Sequence, residues 1–447
     1  MLLFAATVLR SPAAAPRMAV AEPTVVAEPP VWGQLESKLA PVATGFTVRQ
    51  GLVPSSAPRA TVEPLPHGEV VPESVVFYRD TNAWCPFCER LWLYLLESGI
   101  QHDQTFVDIS PGKKPEWYKE VIPTGQTPSL SLGGKALWES NDIIAALEAA
   151  LSSGELSGTS LLPASAPARA RVLAELKSLD NPEQGLKIGS AGYIYMRGAR
   201  FGEQPPKDGA NLPALREAFY ESLQALETRL RFTPGPYLEE AFSVLDIALW
   251  PSLERMAAGL PAFRSYDLRS CAEFPAVAAW LKAMGERPAV RVVSSDDGTL
   301  VRLFSRVFGM GGAAPPPDGP THFGGEAAME AAAKLVRNRA RVAADILEHA
   351  AMSSRLTPET TLGVIDASLA LVASRLSGEP ADSSLVASLV NLPKEDGGAA
   401  ASIVSSSLSF LRTRVSAPRD MSAAAAVQLR AACAVEAATA YDRLGYT

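Results

Sequence analysis

The stretch "SVVFYRDTNAWCPFCERLWLYLLESG" sets two cysteines, Cys85 and Cys88, between a strand signal and a helix signal. No other feature restricts the fold as much. Ser74–Asp80 is β-branched and aromatic, which reads as a buried strand. Leu91, Leu93, Tyr94, Leu95 and Leu96 follow at helical density, and Gly99 reads as the helix stop. Cys85 then falls at or just before the first helical turn, where unpaired amides and the helix dipole favour a thiolate. Pro86 loses nothing at the first helical position, because its missing N–H has no partner there anyway. Cys88 lies one turn further on, within reach of a mixed disulfide formed at Cys85. The same spacing also suits a plain disulfide or two buried thiols.

The pattern downstream extends this unit. "HDQTFVDI" (His102–Ile109) alternates as a strand, and "PEWYKEV" (Pro115–Val121) reads as a short helix with Pro at its first position. "TPSLSLGGKALWES" holds two short strand signals around Gly133-Gly134, and "SNDIIAALEAAL" reads as an amphipathic helix capped by Ser140. A βαβ unit followed by a ββα unit is the thioredoxin-like order. In that order a cis-proline is expected before the third strand, and Thr127-Pro128 occupies the place.

The rest of the chain reads as helical. Residues 165–308 form an all-helical pattern with breaks at Gly198–Pro206, Thr233–Pro236 and Gly259–Pro261. Residues 309–325 ("GMGGAAPPPDGPTHFGG") read as a Gly/Pro linker, and residues 326–447 as a further helical domain. One helix start there is plain: Thr357 as cap, Pro358 next, Glu359 in the first turn. Residues 1–72 read as a transit peptide and linker, since the first acidic residue is Glu22 and Arg10 and Arg17 stand among many alanines. An organelle, the plastid foremost, is the expected address; the mitochondrion, the cytoplasm and the secretory pathway are the alternatives.

Composition removes other classes. Among 447 residues the net charge is −7, and no basic block with interleaved aromatics appears, which argues against nucleic acid as a partner. No run of eighteen apolar residues is long enough for a membrane span. Four cysteines are too few for a disulfide scaffold, and four histidines without ligand spacing leave no metal site. Cys271 and Cys433 read as small buried apolar residues.

These motifs carry a family resemblance. Residues 75–151 resemble the N-terminal domain of the glutathione transferase superfamily, above all its cysteine-type members (the omega, lambda and dehydroascorbate-reductase classes). "CPFCER" stands at their active-site motif, "KPEWYKE" at their lysine–Pro–Glu–Trp segment, "QTPSL" at their cis-proline loop and "LWESNDII" at their Glu-Ser pair. "FSVLDIALWPSLERM" (Phe242–Met256) is similar to the hallmark of their helical domain, with Ser243 capping and Asp246 closing a capping box. The resemblance covers about residues 75–300. It implies a thioredoxin-like domain (residues 74–152), an all-α transferase domain and the extra C-terminal helical domain. It also implies Cys85 as nucleophile with Phe87 beside it. Lys114, Thr127 and Pro128 would lie near glutathione as co-substrate, and Glu139 and Ser140 at its γ-glutamyl end. Cys88 departs from most cysteine-type members and makes the site glutaredoxin-like. With the leader and the extra domain, this resembles iota-type transferases of photosynthetic organisms.

A cysteine at this place implies thiol exchange with a small-molecule or protein disulfide, or dehydroascorbate reduction, with a second glutathione or Cys88 releasing Cys85. Tyr193, Tyr195, Arg197 and Trp250 are candidates for the second-substrate pocket between the two domains. A homodimer stays open. The alternative is a non-catalytic scaffold of the same fold whose C-terminal helices dock a partner.

Overall fold

The computed structural model describes residues 30–46, 75–109, 112, 114–179, 181, 185–200, 202–307, 309–311, 321–350, 352, 355–379, 396–419 and 421–443. The expected leader at 1–29, the core of the expected Gly/Pro linker at 312–320, and Phe201 lie outside them. The chain divides into two compact units. One comprises residues 57–317 and 416–423, and the other residues 1–56, 318–415 and 424–447.

The second unit begins with α1 (Pro30–Phe46), which falls inside the stretch read from sequence as leader and linker. Its Trp32, Leu35 and Leu39 recur at helical spacing and are buried. The Trp32 indole donates to Asp366 at 2.8 Å and lies under the Arg339 guanidinium, 4.8 Å from the ring centre.

The first unit is built on a strand buried along its whole length. β1 (Val75–Asp80) leads into α2 (Pro86–Ser98), and Gly99 ends that helix with φ +69°, a conformation glycine adopts without cost. Then come β2 (Asp103–Val107), α3 (Glu116–Val121), β3 (Ser129–Leu132), β4 (Lys135–Trp138) and α4 (Ser140–Ser153). The sheet order is β2-β1-β3-β4. β1 runs parallel to β2, with Phe77 opposite Gln104, and antiparallel to β3, with Phe77 opposite Leu130. Gly133 and Gly134 both have positive φ, as the tight hairpin between β3 and β4 requires. Alternation along β1 feeds two cores. Val75 and Phe77 join Leu91, Leu95, Ile143 and Leu147, while Val76 and Tyr78 join Val107, Tyr118 and Ile122. Pro115 is the residue before α3 rather than its first residue.

The helical part continues with α5 (Ala166–Ser178), α6 (Ile188–Arg197), α7 (Leu212–Phe232), α8 (Val244–Arg264), α9 (Pro275–Glu286), α10 (Pro288–Val293) and α11 (Asp297–Val307). The expected capping box forms at the start of α8. The buried Asp246 carboxylate accepts from the Ser243 amide at 3.0 Å, the Leu238 amide at 2.9 Å and the Trp280 indole at 2.8 Å. The break expected at Gly259–Pro261 is absent, because α8 runs straight through it. Gly259 marks close packing instead: a Cβ there would lie 2.2 Å from Met196 Sδ on α6 and 3.0 Å from the Phe304 ring on α11. α8 also docks α2, where the buried Arg90 donates to Ala248 O at 3.1 Å. Beside it, Arg287 holds Glu97 at 2.8 and 2.6 Å.

The second unit continues with α12 (Glu326–His349), α13 (Pro358–Leu376), α14 (Gly397–Arg414) and α15 (Ala423–Arg443). The Thr360 amide donates to Thr357 Oγ1 at 3.2 Å, so the expected cap of α13 is present. Residues 416–423, the turn after α14 up to the first residue of α15, group with the first unit. Among the described residues no helix is long and apolar enough to cross a membrane.

The close approach at Gly259 yields a prediction. Gly259→Ala should lose about 1–3 kcal/mol of stability, because the added methyl must displace the Met196 thioether or the Phe304 ring. Urea unfolding with an unchanged midpoint would refute the packing explanation.

Candidate active site

Cys85 is the N-cap of α2, and its sulfur accepts from the Cys88 amide at 3.4 Å. Pro86 follows at the first helical position, as the sequence pattern requires. The Cys85 thiol points at the Thr127 carbonyl, 3.8 Å away, and the Thr127–Pro128 peptide bond is cis. Phe87, the next residue but one, is half-buried with the Arg90 guanidinium 5.3 Å from its ring centre.

Cys88 occupies a different environment although it is one turn away. It is buried, and burial pushes its thiol well up, with the hydrogen bond to Cys85 adding to the shift. Both cysteines are free thiols. Asp80 lies at the end of β1, fully buried, and its carboxylate accepts from the Trp84 amide at 2.7 Å. This contact holds the turn that delivers Cys85 to the helix.

The loop opposite the sulfur is pinned carbonyl by carbonyl. Lys114 donates to Gly125 O at 2.5 Å, and the Tyr118 hydroxyl donates to Gln126 O. Thr127 O faces Cys85. Burial, and then the neighbouring Lys119, lower the Lys114 ammonium from its ordinary value. The geometry therefore gives Lys114 a supporting contact to the loop itself.

Glu139 and Ser140 sit at the start of α4, next to this loop through β3 and β4. Glu139 is the residue before the helix and adopts φ +65°, which a non-glycine residue rarely does. The expected Ser140 cap is corrected, because Ser140 is the first helical residue. Its buried hydroxyl accepts from Arg90 at 3.2 Å, and the same guanidinium donates to Asn141 at 2.8 Å. A fixed positive charge thus lies behind the helix start, whose amides point outward.

Comparison with known proteins meets this geometry directly. The family model described as the glutathione S-transferase N-terminal domain matches residues 84–150, and that of the C-terminal domain matches residues 209–283. Residues 84–150 and 209–283 thus carry the N- and C-terminal domains of the glutathione S-transferase family. Glutathione S-transferase L3 of Arabidopsis thaliana is 28% identical over 230 residues, 51% of this chain and 86% of its own length. The probable cytosolic glutathione S-transferase DHAR1 of Oryza sativa subsp. japonica is 26% identical over 202 residues, 45% of this chain and 80% of its own. Among solved structures, glutathione transferase Omega 3C from Trametes versicolor is similar at 26% identity, with a TM-score of 0.39, over 51% of this chain and 91% of that one.

The four pocket candidates of this transferase unit separate in space. Tyr193 lies edge-on to Phe304, ring centres 6.2 Å apart, and burial pushes its phenol up. Tyr195 points elsewhere, stacked on Phe219 at 5.8 Å within the core. Arg197 donates to the carbonyls of Ala199 and Glu203, closing the loop after α6. Trp250 is buried against Trp280. Tyr195 and Trp250 are both buried among core side chains.

Several site residues escape the sequence pattern. Tyr118 and Arg90 lie inside the quoted motifs, yet their partners come from other elements. Arg255 likewise lies inside the quoted Phe242–Met256 motif, which does not announce its partners. It reaches from α8 to Glu89 at 2.5 Å and to the Trp84 carbonyl at 3.1 Å.

Two predictions arise here. Mild alkylation with iodoacetamide at neutral pH should modify Cys85 and leave Cys88 untouched, because a buried thiol held in its neutral form is a poor nucleophile. Peptide mapping that finds equal labelling of both would contradict the burial of Cys88. Glu139→Gly should stabilise the fold by about 1 kcal/mol, by relieving the positive-φ strain. A drop in melting temperature would show that Glu139 side-chain contacts outweigh it.

Proposed function

We propose that the protein is a glutathione-dependent thiol transferase whose nucleophile is Cys85. Its transferase and dehydroascorbate-reductase relatives support a glutathione-dependent enzyme. The observation that carries the thiol reading is the Cys85 sulfur at the start of α2, facing the backbone of the cis Thr127–Pro128 loop. Glutathione would lie along that loop beside Phe87, with Lys114 bracing the loop from behind. Its γ-glutamyl carboxylate would meet the amides at the start of α4, flanked by Glu139 and Ser140.

The chemistry is disulfide exchange in two steps. The Cys85 thiolate attacks the glutathione sulfur of a glutathionylated partner. The old S–S bond breaks, the partner leaves as a thiolate and takes a proton, and Cys85 is left as a mixed disulfide with glutathione. A second glutathione thiolate attacks the glutathione sulfur of that mixed disulfide; the Cys85–S bond to it breaks, Cys85 leaves as the thiolate, and glutathione disulfide departs. With dehydroascorbate the same two glutathiones supply the electron pair that yields ascorbate. The burial of Cys88 favours external glutathione over Cys88 in the second step.

For the address we propose the plastid. The names of two relatives, Glutathione S-transferase L2 of Arabidopsis thaliana and the probable glutathione S-transferase DHAR2 of Oryza sativa subsp. japonica, carry the word chloroplastic.

The test is the glutathione-driven reduction of a glutathionylated peptide. Cys85→Ser should fall to the uncatalysed rate, while Cys88→Ser should stay within about threefold of the parent, under about 0.7 kcal/mol of barrier. Ser140→Ala should weaken glutathione binding by about 1–3 kcal/mol in calorimetry. An active Cys85→Ser enzyme would rule the nucleophile out.

A further inference from the structure

The turn at residues 416–423 comes from the far end of the chain, yet it belongs to the site-bearing unit. It also lies outside both regions that match the transferase family. Loops normally run over the surface, since buried backbone must find partners for every polar group. This one is buried at Ser416 and fully at Ala417. The Ala417 amide donates to Thr299 Oγ1 at 3.3 Å, and the Ala417 carbonyl accepts from Ser295 Oγ at 2.7 Å. Ser416 Oγ accepts from the Trp84 indole at 3.4 Å.

Those bonds close a circuit around the residue before Cys85. The Ser295 amide donates to Glu254 at 2.8 Å, Glu254 accepts from Arg255 at 3.2 Å, and Arg255 donates to the Trp84 carbonyl at 3.1 Å. The indole of Trp84 returns the circuit to Ser416. Trp84 is therefore held at its amide by Asp80, at its carbonyl by Arg255 and at its ring by Ser416.

We propose that Ser416 and Ala417 form a positioning element of the active site, fixing Trp84 so that its indole and the Cys85 sulfur present one rigid wall to the incoming disulfide. This rests on the reading of Cys85 as the nucleophile. The bond that links the turn to the site is the one from the Trp84 indole to Ser416. It thus affects the step in which a disulfide must align with the sulfur, and leaves the glutathione contacts at Lys114 and Ser140 alone.

The experiment uses the full chain with Ser416→Ala, Ser416→Thr and Ser295→Ala. Three quantities are read: the iodoacetamide labelling rate of Cys85, kcat/KM for a glutathionylated peptide, and the KM for glutathione, beside the melting temperature. Ser416→Ala should lower the labelling rate and kcat/KM for the peptide by about threefold to tenfold, the effect of one lost hydrogen bond, with glutathione KM unchanged. Ser416→Thr should restore both, and Ser295→Ala should act in the same direction as Ser416→Ala. Parent-like rates in Ser416→Ala and Ser295→Ala would overturn the proposal. So would losses that follow the melting temperature and persist in Ser416→Thr. Labelling reads the turn without any turnover, so an active Cys85→Ser enzyme would refute the nucleophile and not this inference.

Discussion

One buried guanidinium holds the active-site turn against the helical domain. Arg255 leaves α8, pairs with Glu89 on α2 and with its neighbour Glu254, and caps the carbonyls of Pro251 and Trp84. All three charged groups are buried. Such a cluster is costly to take out of water and stands only when each partner remains in place. Burial, and then the charge of Glu89, push the Glu254 carboxyl well up. Two carboxyl groups share this one arginine. The thioredoxin-like domain and the helical domain are thus locked through Trp84, the residue beside Cys85. A shift of α8 would be felt at Cys85 before it was felt at the sheet.

The two cysteines show how little residue type alone decides. Cys85 and Cys88 share a helix turn, but one caps the helix at a half-open surface and the other faces the core with Leu91 and Phe77. Burial raises the cost of charge on the inner sulfur, so the pair is unequal. Thioredoxin-like geometry imposes this division on any strand–Cys-x-x-Cys–helix arrangement, because the first position ends a loop and the second lies on the inward face.

Much of the fold was legible because its signals are local. β1, α2 with its Gly99 stop, the Gly133-Gly134 hairpin, the Ser243–Asp246 box and the Thr357 cap each depend on neighbours within a few residues. The misreadings share a different cause. Gly259 looked like a breaker because its reason, the approach of Met196 and Phe304, lies on other helices. Ser140 looked like a cap until Arg90, fifty residues away in sequence, claimed its hydroxyl. The site followed the same rule. Its motif residues could be picked out one by one, whereas the bonds that orient them span 166 residues from Arg255 to Glu89 and 332 from Trp84 to Ser416. No periodicity reports a contact of that range.

The pairing of α1 with α12 has a consequence for the order in which the protein can be made. The ends of these two helices, Phe46 and Glu326, are 280 residues apart, so the ribosome needs roughly 15–60 s to reach the second after finishing the first. Through that interval Trp32, Leu35 and Leu39 have emerged without their partner face. The transferase unit between them can collapse meanwhile, with its sheet and α8 complete. Its last piece, at 416–423, arrives only after α14 has been made. A nascent chain therefore carries Cys85 on a finished scaffold while the buttress behind Trp84 is still unmade.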